Sequence, residues 1–231
     1  MCVGYLSKKF PIVLHPLNVE VSMYKVVVID GQALVRTAIK IILHRNDFAR
    51  VADADNGADG LDLVREHSPD LVILDIHLSR VNGLELMEKI HSFDSRIGIL
   101  VLTSCSARHY YSRCRAARAS AFLSKTCTVE ELERTVNLLI TGRAGVPGDV
   151  GRLPAPSESF ASETALISSL SNRELMTFEL LVRGMSNKEI AGYLQLSNKT
   201  ISTYKTRLLE KLNVFSLAHL FELAKRNGLV G

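Results

Sequence analysis

SNKEIAGYLQLSNKTISTYKTRLLEKL, residues 186–212, reads as two short helices joined by a tight turn, with one surface left free for a partner. In the first helix Ile190, Ala191 and Leu194 make an apolar face one turn long, and Ser186 stands ahead of it where an N-cap belongs. Leu196 then breaks the period. Ser197 can cap a second helix in which Ile201, Tyr204, Leu208 and Leu212 form one apolar stripe, while Lys199, Ser202, Thr203, Thr206 and Glu210 line the opposite face. A merely solvated face favours Glu, Lys, Gln and Ala, whereas Ser202, Thr203 and Thr206 lower helix propensity. Short donors and acceptors near a helix N-terminus reach base edges in a major groove. Lys188, Lys199, Lys205, Arg207 and Lys211 are the cations available for phosphates. A DNA-reading helix is the expectation; periodicity alone leaves a plain helical hairpin as an equal alternative.

The chain around this stretch has 231 residues and a hydrophobic content of 47%, enough for two packed domains. Formal net charge is +4. It is unevenly placed: residues 23–141 balance to about zero, and residues 166–231 carry about +4, so the excess lies with the proposed DNA reader. Four cysteines, Cys2, Cys105, Cys114 and Cys127, form no Cys-x-x-Cys pair, which favours reduced thiols in the cytoplasm over structural zinc. No apolar run approaches the roughly 20 residues of a membrane helix. Residues 1–22 interrupt short apolar pieces with Lys8, Lys9, Pro11 and Pro16, a pattern of an extension rather than a signal peptide, with an added edge strand as the lesser alternative.

From Tyr24 onward, buried strand and amphipathic helix alternate. Residues 25–29 (KVVVI), 51–54, 71–74 (LVIL), 97–102 and 121–123 are the expected strands; 33–44, 60–66, 84–93, 107–119 and 129–140 are the expected helices. Five such repeats predict an α/β domain over 23–141 with a five-stranded doubly wound parallel sheet. Function in such sheets sits at the carboxyl ends of the strands. There the sequence places Asp30, Asp75, Thr103 and Lys125, two carboxylates with a hydroxyl and an ammonium. Asp75 is suited to act as nucleophile toward a phosphoryl group, with Lys125 neutralising charge and Thr103 bonding the product. The plainer alternative makes the acids helix caps and the lysine a surface charge.

Residues 142–165 (GRAGVPGDVGRLPAPSESFASETA) are rich in Gly, Pro, Ser and Ala, the composition of a linker, and relative motion of the flanking domains is the default expectation. Residues 166–231 then form an all-α helix-turn-helix domain. In its last helix Leu217, Leu220, Phe221 and Ala224 recur at helical spacing; any left exposed would favour a dimer contact. Arg108, Arg113, Arg115 and Arg118 read first as a solvated charged face, with a dimerisation surface as the lesser alternative.

Residues 171–212, with their Arg-Glu pair, the Gly before Ser-Asn-Lys-Glu-Ile-Ala, Leu-Ser before the second helix and Lys-Leu at its end, resemble the LuxR/NarL-type helix-turn-helix. The resemblance implies that the helix at 198–212 enters the major groove and that the one near 216–226 pairs two subunits on DNA. Residues 24–141 resemble the flavodoxin-like receiver domain of response regulators. Asp75 in LVILDIHLSRVNGLEL then matches the phosphoacceptor, Thr103 the switch hydroxyl, Phe122 the aromatic that turns inward with it, and Lys125 the family lysine. The whole chain looks like a NarL/FixJ-type two-component response regulator, nearest the BvgA/FimZ/EvgA branch. That likeness implies double-stranded DNA with paired half-sites, a sensor histidine kinase or phosphotransfer protein, a homodimer when active, and RNA polymerase as a further contact. It also implies Mg²⁺ held by Asp30, Asp75 and the His77 carbonyl.

The chain departs from the family pattern twice. Gly31 stands where a second acid usually ligates the metal, which leaves fewer hard oxygen ligands. Ser79 stands where proline commonly stiffens the loop. Gly31 therefore keeps open a DNA-binding regulator that works without phosphorylation. A phosphate sink or protein-interaction module is the third reading. No nucleotide-binding loop or further catalytic constellation points to a free-standing enzyme.

Overall fold

A computed structural model describes residues 24–45, 51–78, 81–141 and 158–229. The expectations for residues 1–22 and Ser79 lie outside these, as does most of the linker segment. The elements run β1 (Val26–Ile29), α1 (Ala33–Arg45), β2 (Val51–Ala54), α2 (Gly57–His67), β3 (Leu71–Leu74), α3 (Gly83–Phe93), β4 (Gly98–Thr103), α4 (Ala107–Ala116), β5 (Ala121–Ser124) and α5 (Val129–Ile140). Five helices follow: α6 (Glu158–Ser168), α7 (Asn172–Val182), α8 (Asn187–Leu194), α9 (Asn198–Lys211) and α10 (Leu217–Arg226). None is long and apolar enough to cross a membrane among the described residues.

The strands pair in parallel in the order β2-β1-β3-β4-β5. Alternation sorts their side chains onto two cores, as the pleat requires. Val26, Val28, Leu71, Ile73, Leu100 and Leu102 pack with Ile39, Leu43, Leu132 and Val136 of α1 and α5. Val27, Ile29, Val72, Leu74, Ile99 and Val101 face the opposite way, onto α2, α3 and α4. Every strand residue of β1 and β3 is buried, which is why those runs carry no polar alternation.

Local chemistry fixes most of the helix starts. Asn56 accepts from Ala58 and Asp59 N–H, so α2 begins at Gly57, a turn earlier than the apolar spacing indicates. Ser171 with Glu174 and Ser186 with Glu189 form reciprocal capping boxes on α7 and α8. Gly184 at φ 87° turns the chain between them, and Gln195 at φ 53° sits at the C-cap of α8.

Two expectations change. The second domain begins inside the segment read as a linker, because α6 starts at Glu158, its last turn burying Ile167. The domains are also packed on each other: the α3/α4 core continues without a break into Ile167, Leu170, Leu175 and Phe178. Composition signals a flexible connection, but it says nothing about the apolar faces on either side of it. The position of Arg113 is part of the same correction. It is not a solvated charge: its guanidinium donates to the Ser168 and Leu170 carbonyls (3.1 and 2.7 Å) and to Asn172 Oδ1 (2.7 Å).

Candidate functional site

At the carboxyl edge of the sheet, four strand ends converge. Asp75 follows β3 directly, and its carboxylate is held from two sides: Thr103 Oγ1 donates to Oδ1 at 2.7 Å, and Lys125 Nζ donates to Oδ2 at 2.7 Å. The same ammonium lies 2.7 Å from Asp30 Oδ2, so one cation bridges both acids. The backbone N–H of His77 also donates to Asp75 Oδ1, at 3.1 Å. Burial raises the Asp30 carboxyl above its ordinary value, against the bonds from Lys125 and Gln32. Burial works against the Lys125 charge too, but its bonds to Asp30 and Asp75 prevail and its pKa is raised.

Gly83 sets the approach of α3 to this edge. A Cβ there would lie 2.7 Å from Ile76 Cα and 2.9 Å from the Asp75 carbonyl oxygen, so only glycine lets the helix start this close to the segment after β3. Gly31 is different: a Cβ at that position meets nothing nearer than the Asp55 carbonyl at 3.8 Å. Its lack of a side chain leaves room beside Asp75 rather than relieving a clash.

Asp75 opens onto a polar cavity of about 660 Å³. Gly31, Asp55 and Asp59 border it on the sheet side, and Arg183 and Tyr193 border it from the second domain. Tyr193 Oη donates to the His77 carbonyl at 3.4 Å. Phe122 is turned inward and buried, edge-on to Tyr111 with ring centroids 6.2 Å apart.

On α9 the hydroxyls of Ser202, Thr203 and Thr206 each donate to the carbonyl four residues earlier, keeping acceptor lone pairs outward. Lys199, Ser202, Thr203, Thr206 and Arg207 are exposed, as is Lys188 on α8, and Lys205 is half-buried. The docked receiver leaves this face uncovered. Asn187 reaches across from α8 to Ser202 Oγ at 3.3 Å and ties the two helices together.

Residues 26–137 match the response regulator receiver domain, and residues 168–224 match the bacterial regulatory proteins of the luxR family. BvgA of Bordetella pertussis, a positive transcription regulator of virulence factors by its description, is 40% identical over 205 residues, spanning 89% of this chain and 98% of its own. The chain belongs to the response regulators.

This response regulator is also 31% identical over 202 residues to the DNA-binding transcriptional activator EvgA of Escherichia coli K12, covering 87% of one chain and 97% of the other. RcsB of Salmonella typhimurium shares its fold, with a TM-score of 0.66 at 21% identity over 88% of this chain and 97% of the other. A receiver joined to a LuxR-type DNA-binding domain makes the chain a two-component regulator of transcription.

Two residues assigned from sequence have other work in the regulator. Lys211 already has a partner: its ammonium lies 2.7 Å from Glu174 Oε2, holding the end of α9 to α7. Leu220 is fully buried within the domain and cannot meet a second subunit. Leu217 (46% exposed) and Phe221 (47%) remain on the surface, and Phe215, which the spacing argument passed over, is 85% exposed. Sequence reasoning also missed Tyr110, Glu179 and Tyr193 at the domain contact. The one signal for them was Glu179, a lone charge in the otherwise uncharged run 175–182 (LMTFELLV).

Proposed function

We propose that this regulator accepts a phosphoryl group at Asp75 from a sensor histidine kinase or phosphotransfer protein, and that the modification controls its pairing on DNA. The observation that supports this reading is the Asp75 carboxylate between Thr103 and Lys125 at the mouth of the cavity. In the transfer, an Asp75 carboxylate oxygen attacks phosphorus, a P–O bond forms and the P–N bond to the donor imidazole breaks. Lys125 offsets charge on the incoming group, and the Thr103 hydroxyl is within reach of a phosphoryl oxygen once it leaves Oδ1.

Mg²⁺ fits the oxygen chemistry here. The Asp30 and Asp75 carboxylates and the His77 carbonyl would hold it, with water completing the shell. When bound it supplies positive charge to the transferring phosphoryl oxygens. Because Gly31 contributes no oxygen, the site relies on these groups alone, and the open space at Gly31 means an added acid can be accommodated.

DNA binding then follows from α9. Ser202, Thr203 and Thr206 contact base edges, while Lys188, Lys199, Lys205 and Arg207 contact phosphates. Leu217 and Phe221 of α10, with Phe215 beside them, pair two subunits on paired half-sites; RNA polymerase is the downstream contact. The regulator works in the cytoplasm.

The deciding experiment is intact-protein mass after incubation with a small phosphodonor and Mg²⁺, with Asp75→Asn in parallel. A gain of one phosphoryl group, absent in the variant, is the expected result. Gly31 favours a second reading, DNA binding independent of phosphate, and Gly31→Asp separates the two. Under the first reading it tightens Mg²⁺ binding and speeds modification; under the second neither protein is modified and promoter binding is the same in both.

A further inference from the structure

A second set of ligating side chains lies behind the acceptor, where the domains meet. His77 stands two residues after Asp75, Cys105 two residues after Thr103, and Glu179 comes from α7 of the DNA-binding domain. One imidazole nitrogen, the Cys105 sulfur and a Glu179 carboxylate oxygen all lie within 4.8 Å of one another. His77 Nδ1 is 3.6 Å from Cys105 Sγ, and Nε2 is 2.7 Å from Glu179 Oε2. Cys105 and Glu179 are buried, and the Glu179 side chain is only 3% exposed.

The contact at Nε2 is unusual. Although 2.7 Å from a carboxylate oxygen, this buried nitrogen lacks the alignment of a hydrogen bond and is left without a hydrogen-bonding partner. Glu179 otherwise accepts from the Tyr110 hydroxyl at 3.1 Å, a neutral donor. A buried carboxylate and an off-axis imidazole are costly side by side unless both also meet a common partner beside them. A cation is such a partner, drawing on lone pairs rather than on N–H direction.

We propose that His77, Cys105 and Glu179 form a binding site for a borderline divalent cation of the zinc class, bridging the receiver and the DNA-binding domain. One nitrogen, one sulfur and one carboxylate oxygen select such an ion over Mg²⁺ or Ca²⁺, which prefer all-oxygen shells. The thiolate and the carboxylate together cancel the ion's double charge, so the buried site is neutral when filled. Binding forms a sulfur–metal bond and releases the Cys105 thiol proton to solvent. Water completes the four-coordinate shell.

The bound ion staples the domains in the arrangement described above. Through its backbone His77 also belongs to the Asp75 site, Cys105 follows Thr103 by two residues, and Glu179 lies on α7, which is tied to α9 through Lys211.

The full-length protein, stripped of metal, is titrated with Zn²⁺ and separately with Co²⁺, beside Cys105→Ser, Glu179→Gln and a Cys114→Ser/Cys127→Ser control. Expected are one tightly bound equivalent, thiolate-to-cobalt charge-transfer absorption in wild type and control, and a zinc-dependent rise in melting temperature. Cys105→Ser should abolish the cobalt band, and Glu179→Gln should weaken binding by more than about tenfold. Glu179→Gln is the second arm should Cys105→Ser fail to fold. Wild-type protein that is folded yet takes up no Zn²⁺ overturns the proposal. So does a bound equivalent that both single variants keep at full affinity.

Discussion

The Asp75 end of the receiver and the hydroxyl-bearing face of α9 are built on opposite plans. Around Asp75, charged groups are buried and every one is spoken for: Lys125 bridges Asp30 and Asp75, and the remaining carboxylate oxygens accept from Thr103 and from the Gln32 N–H. On α9 most of the cations stand in solvent, and the exposed hydroxyls bond carbonyls of their own helix until a partner arrives. The contrast teaches where each region is vulnerable. A pre-organised buried site fails through geometry, whereas an exposed reader fails one contact at a time.

The sharpest way to break the comparison is at Gly83. Gly83→Ala puts a methyl group against backbone atoms of Ile76 and Asp75 that cannot rotate away. We expect a loss of roughly 2–4 kcal/mol in chemical denaturation, together with slower phosphoryl acceptance. An equal loss of DNA affinity with the receiver unaffected would mean that the backbone here yields, and that the acceptor end is less rigid than described.

Lys211→Ala tests the α9 cation that is paired with a buried acid. It leaves the Glu174 carboxylate buried against a vacated position; because Lys211 is 42% exposed, a loss of about 1–2 kcal/mol is expected. Glu174 is held below its ordinary carboxylate value: burial pushes it up, and the bonds from Lys211 and Ser171 outweigh that. A depressed folded-state pKa means the stabilisation is complete above the unfolded value near 4.5 and is lost as pH falls through the folded one. The variant should therefore show a flatter acid limb below pH 4.5 in pH-dependent melting curves.

The smallest effects belong to the exposed face. Thr203→Ala should change preference among half-site sequences by about 1 kcal/mol at a single base position, read by competition binding. Lys205→Ala should weaken all duplexes alike and lower the slope of log affinity against log salt by about one. If the two variants behave identically, base contacts and phosphate contacts are not divided between these residues as assigned.

How much of this was readable in advance follows the same division. The sheet was legible because β1 and β3 are uninterrupted apolar runs, and the acceptor because a parallel sheet delivers all of its strand ends to one edge. The two halves of the helix-turn-helix were legible because each bears its own cap and stripe. What escaped were features that apolar spacing does not carry. The start of α2 rests on the Asn56 side chain rather than on apolar spacing, and Leu220 and Leu217 differ in burial although they share one helical stripe. The domain contact joins residues such as Tyr110 and Glu179, 69 positions apart, and nothing in either neighbourhood names the other.

Arg113 carries one more implication. The carbonyls that close α6 find their cation in a different domain, on a helix more than 50 residues away in the chain. A fragment cut between the domains would thus leave the negative end of that helix facing water, its neutralising charge discarded with the other half. The seam suggested by a Gly/Pro-rich stretch is not where the molecule comes apart cleanly, and a truncated DNA-binding fragment inherits a frayed first helix along with its freedom.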